Sequence, residues 1–418
     1  MIGGLPNLFS RGERVFSFMK KLDRVQRALI YTCFYAFFCN GLISLTMGSL
    51  MPDMKAAYGL SDTVGGVMLS AHSIGNLVAG FVSGLIPLYL GRRRSVVLLA
   101  ALGGVGMLMI ALFGAPALLF VAFVFTGVGR GGVTNFNTRT VNVVTDGSPA
   151  ASNLLHAVFA LGAISAPMIF LALRGPLGWQ AGPIFVALCV AADVLLFAKN
   201  VPDERPDRAE KANRSMAFMR DPAFLVLAGM LLFYICSEYA INGWLVSYIQ
   251  NKQALAASFG REGEALQAAI RAYSQSMATL LWAVILAGRL FCAWLSQRVH
   301  PKKLMLAAAV GEALGFAGML FSNSIPMVTV SVAALGFCMA GICPMIYSDA
   351  VYYTNSYPLA TGALLALGSL GGVLMPLLVG LLAGRFGFGG GMGAILAAIA
   401  LLILFSAVNL RMRPKGQG

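Results

Sequence analysis

The chain repeats itself at an offset of 209 residues, half of its length of 418. Gly162-Ala-Ile-Ser-Ala-Pro167 returns as Gly371-Gly-Val-Leu-Met-Pro376. Gly127 and Gly132 return as Gly336 and Gly341, Pro149 as Pro358, and Arg93-Arg94 as Lys302-Lys303. Glycine is abundant, with 48 copies, so no single pair carries weight. Matches in one register across several separate segments do. A repeat of this length means two copies of one structural unit running in the same direction.

Composition says what the unit is. Hydrophobic residues make up 58% and charged residues 11%, roughly the reverse of what a soluble surface needs. A helix that crosses a bilayer takes about 20 mostly apolar residues. Twelve stretches qualify, near 28–51, 63–89, 94–113, 117–142, 150–173 and 181–199, then 223–250, 273–297, 303–322, 325–349, 358–382 and 390–410. Six per half is even, so both halves enter from the same side, as parallel repeats require. The register breaks at the first span of each half, because the connection 251–272 is longer than its counterpart 52–62. These features predict an all-α membrane protein with twelve spans in two pseudo-symmetric six-helix bundles. That is the architecture of a secondary transporter. The expected segments are an amphipathic stretch 1–27, a bundle 28–199, a linker 200–221, a second bundle 222–410 and a tail 411–418.

The net charge of +14 raises the question of nucleic acid, but its placement argues for a membrane. Six Lys and Arg fall in residues 1–27, three at Arg92–Arg94, six in 199–220, and three at Arg298, Lys302 and Lys303. Three more close the chain at Arg411, Arg413 and Lys415. With an even span count these all lie on one side, the positive-inside pattern, which predicts that both termini are cytoplasmic. Phe9, Val15, Phe16, Met19 and Leu22 read as an amphipathic helix on that membrane surface. The seven cysteines sit inside spans without metal-ligand spacing and read as packing residues.

Charge inside a span costs a few kcal/mol at least, about 2.5–3.5 on insertion scales, so each such residue is a functional candidate. Arg130 is central in the fourth span, Glu238 in the seventh and Asn40 in the first. Tyr234, Glu238 and Asn242 are four apart and share a helix face, with Trp244 close by. Aromatic, amide and carboxylate groups together hold hydroxylated solutes by stacking and hydrogen bonding. The candidate solute ligands are Asn40, Arg130, Asn135, His156, Tyr234, Asn242, Trp244 and Trp282. Glu238, Arg130 and His156 are the candidates for proton coupling, an imidazole being able to titrate near neutrality. A packing ion pair between Glu238 and Arg130 competes with that assignment. Asp193 and Glu312 lie in the sixth and ninth spans. Asp193 is expected to be hydrated near the inner surface, and Glu312 has no assigned role.

Gly84 and Gly91-Arg92-Arg93 after the second span resemble the G-x-x-x-D-R-x-G-R-R loop of the major facilitator superfamily. Leu88 stands where the acidic residue belongs, and Gln297 stands there in the second copy. The resemblance implies that this turn latches helices on the cytoplasmic side, and the missing acids imply a weakened latch. Arg92, Arg93, Arg139, Arg298 and Asp349 are the candidate gating and structural groups there. A closer resemblance is to the fucose permease branch. It rests on 153–167, Glu238-Tyr-Ala-Ile-Asn-Gly-Trp-Leu-Val-Ser-Tyr248, Gly288-Arg289 and 368–376. It implies alternating access in a bacterial inner membrane and movement of a sugar or related polar solute with protons. One departure matters: the acidic residues of the first and fourth helices in that branch align with Gly48 and Gly132 here. Arg130 is an addition that suits a carboxylate, so a sugar acid or other organic anion competes with a neutral sugar.

An exporter of drugs or metabolites fits the same scaffold. No nucleotide loop of the GxxxxGK[ST] type, metal cluster or nucleophile elbow is present, which argues against an enzyme. A membrane sensor would carry an output domain, and the hydrophilic stretches are too short for one. No cofactor, metal or nucleic-acid partner is expected. The expected partners are a small solute, a proton and the bilayer, with the chain acting as a monomer.

Overall fold

The computed structural model describes residue 19 and residues 22–146, 148–203, 216–296, 298–357 and 359–412. Phe9, Val15 and Phe16 of the amphipathic stretch, most of the linker, Gln297, Pro358 and the tail beyond 412 lie outside the described residues.

The fold is all-α. The first half runs through helices Arg24–Ser49, Asp62–Leu90, Arg92–Leu112, Pro116–Val144, Pro149–Leu177 and Ala181–Asn200. A short helix, Met51–Tyr58, fills the first connection. The second half begins with Pro222–Asn251, Gly263–Leu295 and Pro301–Phe321. Its fourth span is broken into Ile325–Met339, Ile342–Asp349 and Val351–Ser356. A helical stretch of 52 residues, Ala360–Arg411, follows. That stretch breaks at Gly387, whose φ of 71° and ψ of 173° suit only glycine, and the break divides it into the eleventh and twelfth spans. Twelve spans result among the described residues, as the hydropathy pattern predicts.

Helix starts follow local chemistry. Asp23 accepts from Gln26 N at 2.8 Å while Gln26 Oε1 accepts from Asp23 N at 3.1 Å, a reciprocal cap that opens the first span. Proline begins the fourth, fifth, seventh and ninth spans, where its missing N–H has no intrahelical partner to lose. The eighth span starts ten residues earlier than expected, at Gly263. Its first turns carry Glu264, Gln267 and Arg271, which depress hydropathy without disfavouring helix.

Among the described residues the two halves meet closely from mid-span to the side opposite the termini, the far side. Gly66 of the second span approaches Pro376 and Gly380 of the eleventh, and a Cβ on Gly66 would sit 2.8 Å from the Pro376 carbonyl oxygen. A Cβ on Gly48 would overlap the Asn242 carbonyl oxygen of the seventh span. Three hydrogen bonds cross the halves among the described residues. Ser70 Oγ donates to Val373 O at 2.6 Å, Gln275 Nε2 to Ser49 O at 2.8 Å and Thr279 Oγ1 to Ile164 O at 3.0 Å. Toward the termini the same helices part. Gly80 and Gly84 on the second span and Gly362 on the eleventh have open space where a Cβ would point. Phe81, Leu85 and Leu365 are exposed there.

Ion pairs on the terminus side differ from the expectation. Arg93 and Arg94 pair with Asp203, at 3.5 and 4.0 Å, and Arg93 also donates to Ala198 O. Asp203 lies just past the sixth span. Asp349 accepts from Asn409 and lies 3.8 Å from Lys302, which bridges the tenth and ninth spans. Arg298 stacks 4.1 Å from the Trp294 ring, and Arg139 is exposed. Asp193 is 2% exposed rather than hydrated, with Oδ1 lacking a hydrogen-bond partner, because the first and third spans cover that face.

Candidate functional site

A cavity of about 240 Å³ lies between the halves. The first, second, fourth and fifth spans of one half line it, with the seventh, eighth and eleventh of the other. Its polar wall is made by Arg130, Glu238, Asn242, His156, His72 and Arg289, and its apolar wall by Phe37, Phe159, Leu69, Ile235 and Trp282.

Arg130 is the midpoint of Pro116–Val144, so helix length alone sets it at mid-depth. Its Nη1 donates to Asn76 Oδ1 at 3.2 Å, its guanidinium lies 5.7 Å from the Phe159 ring centroid, and its Nε is buried without a partner. Asn40 secures this helix from behind, donating to Arg130 O at 3.3 Å and Thr134 Oγ1 at 3.1 Å. Glu238 faces the cavity from the middle of the seventh span, in the field of Arg289 first and Arg130 second. Arg289 comes from the eighth span, and its Nε is also buried without a partner. No carboxylate oxygen lies within 4 Å of either guanidinium among the described residues. The tight Glu238–Arg130 packing pair is therefore not formed. Two guanidiniums and one carboxylate thus line the same cavity without an ion pair among the described residues, and an excess of positive charge of this kind suits an anion.

Aromatic surface completes the wall. Phe159 and Trp282 meet edge to face at 5.5 Å across the halves, and Trp282 Nε1 donates to Asn242 Oδ1 at 3.0 Å. Asn242 also lines the cavity, and no hydrogen bond from its Nδ2 is formed among the described residues. His156 packs edge-on to Phe37 at 5.6 Å, and His72 Nδ1 lies 2.9 Å from Thr126 Oγ1.

Of the residues expected to contact solute, Arg130, His156, Asn242 and Trp282 line the cavity, and Glu238 joins them. Four do not. Asn40 is 2% exposed and serves the helix contact just described. Asn135 lies toward the termini, donating to Ser83 Oγ at 3.0 Å. Tyr234 is 1% exposed, turned into the bundle. Trp244 is fully buried on the far side and donates to Pro376 O at 3.1 Å, where it caps the closure. Arg289 was missed. It sits near the terminus-side end of its span, where a long cation reaching for headgroups is ordinary. The rule that flagged Arg130, a charge inside an apolar helix, applies to it equally.

Gly48 and Gly132 explain the departure from the acidic pattern. Gly48 lines the cavity with the Asn242 carbonyl against it, and a Cβ on Gly132 would meet Leu99 at 2.7 Å. Neither position has room for a carboxylate side chain in this arrangement.

Known proteins agree with the architecture. Over 411 residues the chain is 21% identical to the sialic acid transporter NanX of Escherichia coli (strain K12), spanning 94% of this chain and 96% of that protein. NiaP of Bacillus subtilis (strain 168), whose name proposes niacin/nicotinamide transport, is 24% identical over 336 residues, 76% of this chain and 78% of NiaP. The structure of the nucleoside transporter NupG superposes with a TM-score of 0.72 at 15% identity, covering 93% of this chain and all of that one. The sequence also matches the Major Facilitator Superfamily over residues 33–273 and 255–417. With the twelve spans, the paired bundles and the cavity between them, the chain belongs to the Major Facilitator Superfamily of membrane transporters.

Proposed function

We propose that this protein carries a small organic anion, a sugar acid or related carboxylate, across the membrane by alternating access, driven by protons. The observation that carries the reading is the pair Arg130 and Arg289. Both line one cavity in which Glu238 is the single carboxylate among the described residues, and no carboxylate oxygen lies within 4 Å of either guanidinium. A solute carboxylate in the cavity compensates that positive charge. The Phe159–Trp282 wall and Asn242 then take its ring or carbon face and its hydroxyls. The name of NanX points the same way, since sialic acid is a carboxylate, while that of NiaP covers both a carboxylate, niacin, and its neutral amide.

Proton coupling follows from competition. In the empty cavity the arginines compensate the Glu238 carboxylate. An anion that takes them over removes that compensation, and Glu238 accepts a proton. Solute and proton then travel together. The closed far side and parted terminus side correspond to an inward-open state if the termini are cytoplasmic, the orientation that the basic residues favour. The combination describes an importer in a bacterial inner membrane.

The test is a thermal-shift panel on purified protein, comparing sialic acid, nicotinate and simple sugar acids with their uncharged counterparts. Gradient-driven uptake of the best ligand into proteoliposomes follows. Stabilisation by acids alone, with uptake driven by an inward proton gradient, is the expected result. Equal stabilisation by the uncharged partners overturns the anion assignment in favour of a neutral solute, and accumulation driven outward overturns import in favour of an exporter.

A further inference from the structure

Behind the cavity wall lies a second carboxyl that the transport reading does not use. Glu312, in the middle of the ninth span, is fully buried. Its Oε1 lies 2.6 Å from Ser237 Oγ, and its Oε2 is buried without a hydrogen-bond partner. Ser237 immediately precedes Glu238 in the chain. Ser237 Oγ also lies 2.9 Å from the Tyr234 carbonyl oxygen.

Proton counting decides the state of this cluster. A hydroxyl has one hydrogen, and Ser237 Oγ has two oxygen neighbours. A backbone carbonyl can only accept. If Ser237 gives its hydrogen to Tyr234 O, the contact to Glu312 needs a hydrogen from Glu312. If it gives it to Glu312 instead, a buried carboxylate is left with a single bond and an unpaired oxygen. No Lys, Arg or His nitrogen lies within 4 Å to compensate it among the described residues. Burying an ion that way is the costlier choice. The titratable groups whose fields reach Glu312 are Glu238 and Tyr234 on the seventh span and Cys338 on the tenth. None is a cation.

We propose that Glu312 is a second proton-binding site of the transporter, a neutral carboxylic acid that donates to Ser237 and counts in the coupling together with Glu238. On release, the Glu312 O–H bond breaks, Ser237 turns its own hydrogen from Tyr234 O to the new carboxylate, and the proton passes to Glu238 or to cavity water. Like-charge repulsion makes the two carboxyls behave as one site with linked occupancy. The transport half of this inference rests on the proton-coupled reading above. The protonation half does not.

Infrared difference spectroscopy of the purified full-length protein, without solute, tests the protonation half. The expected spectrum at neutral pH contains the C=O stretch of a protonated carboxylic acid. That band is present in wild type and Glu238→Gln, absent in Glu312→Gln, and shifted in Ser237→Ala, which removes its hydrogen-bond acceptor. Glu312→Gln is nearly isosteric, and its amide N–H replaces the donated bond. Should that variant not be recovered, Ser237→Ala carries the assignment, and an unmoved band overturns it. A neutral-pH spectrum without a Glu312-dependent band overturns the proposal outright. The transport half is read as the proton-to-solute ratio in proteoliposomes, which falls in Glu312→Gln. An unchanged ratio with the band present makes Glu312 a neutral packing group and overturns its role in coupling. A failure of the anion assignment leaves the infrared result untouched, so the two readings fail separately.

Discussion

Replacing Arg289 by Met probes the anion site with little structural interference. The Arg289 Nε is buried without a hydrogen-bond partner, and no carboxylate oxygen lies within 4 Å of the guanidinium among the described residues. Methionine keeps most of the aliphatic stem, so the substitution removes charge and donors without opening a large void. Arg130 is a poorer probe. It also bonds Asn76 and stacks on Phe159, a contact of about 0.5–2 kcal/mol, so its loss mixes stability with binding. Hydrogen bonds to a charged group contribute about 1.5–3 kcal/mol, which converts to roughly 10- to 150-fold in Kd. Titration calorimetry of wild type and Arg289→Met against the best-binding acid and its amide separates the possibilities. The acid should weaken by that factor while the amide changes less than about 2-fold, within the roughly 0.4 kcal/mol a peripheral change brings. An equal loss for acid and amide would refute the reasoning, because Arg289 would then be packing, and so would no loss at all.

Glu238→Gln should abolish proton-driven accumulation while leaving counterflow exchange measurable, and accumulation at the wild-type level removes Glu238 as proton carrier. Gly48→Ala places a methyl group against the Asn242 carbonyl, so the far side must open or strain. Overpacking of this kind costs about 1–3 kcal/mol, read as a lower melting temperature and greater labelling of far-side cysteines introduced near Ser49. Asp53, outside the spans, has its carboxyl pushed above the ordinary range by burial, a shift that the paired Arg174 and then Arg271 oppose. A raised acid binds its proton more tightly folded than unfolded. Its stabilisation is therefore full below the ordinary carboxylate value of about 3.9 and is lost as pH rises through the folded value. Asp53→Asn should remove that slope from the melting temperature measured across acidic pH, and a slope identical to wild type contradicts it.

The spans were legible because the bilayer imposes a length and a hydropathy that no other fold requires. Arg130 and Glu238 were legible for a related reason: a charge at mid-depth is expensive and must have a partner or a task. Facing was not. Four-residue spacing puts Tyr234, Glu238 and Asn242 on one stripe, but which part of it meets the cavity depends on the helix's rotation against its neighbours. Tyr234 ends turned inward, and Trp244 ends in the far-side closure. Asn135 lies only five residues beyond Arg130, yet that is more than one turn, and it leaves the cavity for Ser83. Glu312 carried the same charge signal as Arg130. Its partner, Ser237, is 75 residues away on another helix, and no spacing rule connects them. The basic turn shows the converse: Arg93 and Arg94 find an acid in the linker, Asp203, a contact that motif matching does not look for.

The chemistry of the closed side explains how such a site opens. Its cross-half contacts include glycine approaches, three hydrogen bonds, the Phe159–Trp282 ring pair and Lys55 over the Phe388 ring, while its ion pairs among the described residues, Lys55 with Asp62 and Arg174 with Asp53, each lie within one half. A net hydrogen bond contributes about 0.5–1.5 kcal/mol, so the hydrogen-bonded part of the closure amounts to only a few kcal/mol. A bidentate anion joining Arg130 of one half to Arg289 of the other offers interaction of the same size. Occupancy of the cavity can therefore rebalance which side is sealed, as population shift requires, because the ligand's preference need only match the small free energy of the closure. Ion pairs across the far side would have made that closure harder to reverse. Small residues and single hydrogen bonds keep it within reach of one bound solute.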